Sequence, residues 1–149
     1  MKIPSIITAT AFALCALSAQ GQTTGAVELP YEWDSTSWQQ QWVTGGVGWK
    51  ANTNLQAFIV QGRPTNWGGG ITSASTIAFH EGQEAEVYYE YTSSCGMTIS
   101  IELVDGSGDT MQTITDELTA ESGWGSRVHK IQYSGDAKVR FTATPDISF

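Results

Sequence analysis

Glu84-Ala85-Glu86-Val87-Tyr88-Tyr89-Glu90-Tyr91-Thr92 decides the fold class. Ala85, Val87, Tyr89 and Tyr91 fall on one side of an extended chain, and Glu84, Glu86, Tyr88 and Glu90 fall on the other. This period of two belongs to a strand with one face in a core and one in water. Met97 to Leu103 repeats it, with Met97, Ile99, Ile101 and Leu103 inward, and so does Lys138 to Thr144, with Val139, Phe141 and Ala143 inward. Between and around these lie Glu81-Gly82-Gln83, Ser94-Cys95-Gly96, Asp105-Gly106-Ser107-Gly108-Asp109 and Ser134-Gly135-Asp136. Each holds a glycine able to turn the chain at little steric cost, and links this short join antiparallel neighbours.

Weaker strands are expected at Ile71 to Phe79, Thr110 to Leu118, Gln56 to Gln61 and Arg127 to Tyr133. In the last, Val128 and Ile131 are out of phase and predict a bulge. The stretch before Ile71 reads differently. Trp33, Trp38, Trp42, Trp49 and Trp67 are set among glycines and a run of three glutamines at 39 to 41, which predicts long loops with short strands, anchored by indoles. Seven or eight antiparallel strands in this order imply an all-β, two-sheet antiparallel sandwich of jelly-roll type.

The N-terminus carries a different message. Lys2 precedes an apolar run from Ile6 to Leu17, and small residues Ser18, Ala19 and Gly21 follow, the pattern of a cleavable signal peptide over residues 1 to 21. That run is shorter than the roughly 20 residues a membrane-spanning helix needs, so no membrane insertion is expected. Ala19-Gln20-Gly21 favours cleavage before Gln22, with cleavage after Ala19 as the alternative, and Leu14 before Cys15 disfavours lipidation. Residues 22 to 149 are then one β-sandwich domain, secreted or held at the cell surface. Loss of Lys2 takes the net charge from -8 to -9, which disfavours nucleic acid and anionic membrane as partners. Cys95 is left without an intramolecular partner and is read as a turn residue or as a link between two chains.

Leu29-Pro30-Tyr31-Glu32, the Trp-rich stretch after it, Trp67 leading into Ile71-Thr72-Ser73, and the acidic-aromatic strand Glu86 to Tyr91 together resemble the cleaved-adhesin, or choice-of-anchor J, domains. The resemblance spans roughly residues 28 to 144, and Thr72-Ser73 stands where those domains usually carry Thr-Pro. It implies an exported jelly roll engaged in surface attachment or in glycan or protein binding, and no functional residue is carried over from it.

Catalysis needs convergent groups, and few are visible. His80 and His129 are the only histidines, and no His-x-x-x-His, Cys-x-x-Cys or Gly-x-Ser-x-Gly spacing occurs. Glu84, Glu86 and Glu90 share a sheet face, where a solvated acidic surface explains them better than a glycosidase pair. No cofactor is expected. Asp105, Ser107 and Asp109 present oxygens that would suit Ca2+, although a hairpin turn accounts for the same residues.

The six tryptophans carry the functional reading, because an indole packs on the C–H face of a sugar as readily as on a core. Asn66-Trp67-Gly68 and Gly123-Trp124-Gly125 have the composition of loop tips, which makes Trp67, Trp124 and Asn66, with Trp49 beside Gly48, the candidate ligand contacts. The chain is therefore read as a non-catalytic adhesin-like module for carbohydrate binding, or for binding a surface protein. The alternative is a structural subunit of a surface or extracellular assembly that self-associates through an incomplete sheet edge. The exported protein is expected to begin at Gln22 or Gln20, and N-terminal sequencing that returns Met1 from an extracellular fraction refutes this.

Overall fold

Apolar alternation and turn glycines become strands and hairpins throughout the C-terminal half of the chain. The structure, a computed structural model, describes residues 7–12, 25–32, 38–46, 49–54, 57–60 and 69–146. In chain order these hold β1 (Ile7–Phe12), the helical turn α1 (Trp38–Gln41), β2 (Trp42–Gly46), β3 (Trp49–Asn52), β4 (Ala57–Val60) and β5 (Gly69–Ser73). There follow β6 (Ile77–Phe79), β7 (Glu84–Ser93), β8 (Met97–Val104), β9 (Thr110–Leu118), β10 (Glu121–Ile131) and β11 (Gly135–Pro145).

The result is an all-β sandwich. A six-stranded sheet runs β2-β5-β11-β8-β9, with β6 also paired to β11, and a three-stranded sheet runs β1-β7-β10. β3 and β4 pair as a separate hairpin, and every strand pair is antiparallel. The order places β11 between β5 and β8, so the last strand closes the middle of the large sheet, a crossed order of the jelly-roll kind.

Strands β7, β8, β9 and β11 fall where the alternation predicts them, and Gln56 to Gln61 yields β4. Ile71 to Phe79, expected as one strand, is two. The small residues between them allow a step in the chain. Ser73 is buried there, its hydroxyl accepting the Val139 N–H at 3.1 Å and donating to the Ser75 carbonyl at 2.9 Å. The N-terminal segment enters at the same place: the Val27 N–H donates to Thr76 O at 2.8 Å and Ala78 N–H donates to Val27 O at 2.9 Å.

β10 is longer than expected and its irregularity lies elsewhere. Its register against β7 is continuous from Gly125 to Ile131, and the shift falls between Glu121 and Gly125. Val128 needs no bulge because it faces water, 56% exposed, whereas Ile131 faces the core. The inward positions between are Arg127 and His129, polar residues whose alternation hydropathy does not register. Ile7–Phe12, within the segment read as a leader, runs along the other edge of β7, from Ile7 opposite Tyr89 to Phe12 opposite Glu84.

One core joins the sheets. Val87, Tyr89, Ile99, Ile101, Val139 and Phe141 are all buried in it, as the alternation requires. The Phe141 ring meets Tyr89 edge-on at 5.8 Å and Trp42 at 5.8 Å. Trp42 in turn meets Tyr31 at 5.6 Å, and Trp38 meets Phe58 at 5.1 Å, so two indoles anchor the glycine-rich region as expected of it. Ile101→Ala is expected to cost about 2 to 5 kcal/mol in urea unfolding, and Val128→Ala within about 0.5 kcal/mol. Equal losses at the two positions would refute the assignment of faces.

Candidate binding face

Along one side of the sandwich the chain passes from one sheet to the other, from edge strand β9 to edge strand β10, and the two edges are tied by polar side chains. The Asp116 carboxylate Oδ2 accepts a hydrogen bond from the Tyr89 hydroxyl and one from His129 Nε2 at 2.6 Å, joining β7, β9 and β10. The Gln112 amide spans the same gap, Nε2 donating to Lys130 O at 3.4 Å and Oε1 accepting the Gln132 N–H at 2.9 Å. Arg127 closes the row with its guanidinium 5.2 Å from the centre of the Tyr91 ring. Tyr91 lies so close over Gly125 that a Cβ there would stand 2.9 Å from the ring, which is why a glycine occupies that position of the strand. Burial, reinforced by the Asp116 hydrogen bond and charge, holds the Tyr89 phenol well above its ordinary range. With Tyr89 buried and both donors on Asp116 Oδ2, this cluster pins the two sheets together.

The opposite face of the small sheet is open. Register sets Ser126 opposite Glu90, Val128 opposite Tyr88 and Lys130 opposite Glu86, and Trp124 lies two residues before Ser126, in the irregular start of β10. Trp124 is 37% exposed, beside exposed Ser126 and Val128. The Tyr88 hydroxyl donates to Glu90 Oε1, and this bond, with partial burial, raises the Tyr88 pKa. Glu90 Oε2 is shielded from solvent and has no hydrogen-bond donor. Ser126 and Val128 of β10 thus stand opposite the Tyr88–Glu90 pair of β7, with exposed Trp124 just before them.

The structure redistributes the residues singled out in the sequence. Trp124 is exposed as expected, but it sits in β10, not at a loop tip: flanking glycines that resemble a loop here accommodate the strand irregularity and the Tyr91 ring. Trp49 opens β3 opposite Val60, and Trp67 and Asn66 lie outside the described residues. Asp105 Oδ1 accepts the N–H groups of Ser107 and Asp109, each at 2.9 Å, so its carboxylate shapes the β8–β9 turn. Among the described residues no group of three or more His, Cys, Asp or Glu side chains stands together as a metal site. Both histidines have carboxylate partners, His80 Nε2 lying 2.7 Å from Glu28. Cys95 is a free, partly exposed thiol in the β7–β8 turn. Tyr88, Glu90 and Ser126 belong to the face without having been singled out as ligand contacts, and the outward side of the alternation in Glu84 to Thr92 is the signal that marks two of them.

No protein-family model and no curated protein matches the chain. Among solved structures it is similar to the enzymatically active domain of bacteriophage CBA120 tailspike protein 4, at 9% identity and a TM-score of 0.30. The match covers 95% of this chain and 17% of that one. Among the described residues no helix is long and apolar enough to cross a membrane.

The pin has a pH signature. A phenol held above its ordinary value stabilises the fold fully below the normal tyrosine range near pH 10, and that stabilisation declines as pH rises through the raised value, because the unfolded chain ionises first. Tyr89→Phe, which removes a hydrogen bond to a carboxylate, is expected to cost about 1.5 to 3 kcal/mol at neutral pH. The deficit should narrow in urea unfolding above about pH 10, and a deficit that stays constant with pH refutes the pin.

Proposed function

We propose that the chain is an exported, non-catalytic binding module that recognises a neutral glycan on the outer face of its small sheet. The observation that carries this reading is the exposed Trp124 in β10, two residues before exposed Ser126, which stands opposite Glu90. Indole provides the apolar platform for the C–H side of a sugar ring, and the exposed Ser126 hydroxyl provides a donor and acceptor for a sugar hydroxyl. Glu84, Glu86 and Glu90 on this face, against Lys130 alone, argue for an uncharged ligand over a uronate, a sulfated glycan or a nucleic acid. Signal-peptide patterning and the resemblance to cleaved-adhesin domains support an extracellular role of this kind. A second reading, a subunit of a surface assembly, draws on the β1 edge of β7.

A glycan array with wild-type protein, followed by titration of the best neutral hit, tests the proposal. Trp124→Ala is expected to weaken binding by about fivefold or more, while changing unfolding stability by no more than about 1 kcal/mol. An array without a neutral hit, or a Trp124→Ala variant that binds as wild type does, overturns it.

A further inference from the structure

The second edge of β7 is occupied by a segment that the sequence marks for removal. β10 pairs with one edge of β7, and Ile7–Phe12 takes the other over six consecutive positions; among the described residues no further strand pairs with it. Loss of a leader ending near residue 21 exposes that row of N–H and C=O groups, a template for strand addition.

We propose that this exposed β7 edge docks an extended segment of a partner protein that alternates apolar residues with basic or hydroxyl-bearing ones. The inference rests on the leader reading, and the register supplies the chemistry. Positions opposite Ala85, Val87 and Tyr89 lie over buried residues and call for apolar side chains, as Ala11, Ala9 and Ile7 are by identity. Positions opposite Glu84, Glu86 and Tyr88 belong to the acidic outer face, where the present occupant carries Phe12, Thr10 and Thr8 and no charge. Opposite charges directly across an antiparallel pair attract and like charges repel, so lysine or arginine there improves the fit. The same rule disfavours a second copy of β7 as the occupant. Antiparallel pairing of two β7 strands about Tyr88 sets Glu86 opposite Glu90 on both sides of the axis.

The test uses protein recovered from the extracellular fraction, its N-terminus sequenced, with three fluorescent peptides. One carries Ile-Thr-Ala-Thr-Ala-Phe, the sequence of residues 7 to 12; the other two carry that sequence with both threonines replaced by lysine or by glutamate. Anisotropy titration is expected to rank them lysine, threonine, glutamate, with about two- to fivefold between steps, carried by the position opposite Glu86. Amide exchange along β7 should slow when peptide is bound. The Glu86→Lys variant, checked for native melting, should narrow or invert the preference for the lysine peptide over the glutamate peptide; if it fails to fold, the ranking on wild type decides. A protein beginning at Gln22 or Gln20 that binds no peptide, binds all three equally, or shows no β7 protection overturns the docking edge and leaves the leader reading standing. A protein beginning at Met1 overturns both, because the edge is then filled by its own chain.

Discussion

Phe141 is the residue on which the two sheets depend. It sits near the middle of β11, opposite Ile71 on one side and Ile101 on the other, and its ring meets Tyr89 from the facing sheet and Trp42 from β2. Backbone hydrogen bonding fixes its position within the large sheet, while ring packing fixes the spacing to the small one. A sandwich of this size without a disulfide among its described residues must hold its sheets together by such contacts alone. The edge-on ring geometry adds directional preference to area burial, so the sheets have one favoured alignment rather than a range of sliding ones.

That alignment decides which polar groups can be buried. With Tyr89 set against Phe141, its hydroxyl reaches the rim where β9 and β10 converge, and Asp116 and His129 are there to receive it. A carboxylate between sheets is costly unless its oxygens are met, and here the phenol and the imidazole meet one of them. The pin therefore adds a polar tie at the rim to the alignment that the apolar packing sets. Its second effect is on the other side of β10: because Arg127 and His129 turn inward to serve the rim, Ser126, Val128 and Lys130 turn outward. The character of the open face follows from the demands of the closed one.

Much of this was legible in the sequence. The inward positions of β7, β8 and β11 are apolar at every second residue, and a period that regular has one structural solution. β10 was less legible because its inward residues are Gly125, Arg127 and His129, which hydropathy counts as polar; only the Tyr91 ring, Asp116 and the strand register explain their direction. The same blindness placed Trp124 in a loop. Glycine on both sides of an indole is a turn signal in isolation, and only the close approach of Tyr91 to Gly125 shows why a strand there needs glycine. The break between β5 and β6 was hidden for a related reason, since Ser73 is buried for its hydroxyl, which replaces a missing ladder partner at Val139.

Moving Trp124 from a loop tip to a strand changes the kind of recognition the surface supports. A loop adapts its shape at the cost of ordering on binding, whereas Ser126 and Val128, on the paired part of the strand, are already positioned, and the entropy of fixing them has been spent in folding. The residues of the β7–β10 face rise from neighbouring strands at the regular spacing of a sheet. Flat, preorganised surfaces suit extended ligands with a repeating apolar face better than small ligands that need a pocket. The acidic row on β7 narrows the class further, since its field opposes anionic chains and leaves hydroxyl groups as the donors its carboxylates can take without a counter-charge. The neutral polysaccharide proposed as the ligand is of a kind such an acidic, preordered surface would accept.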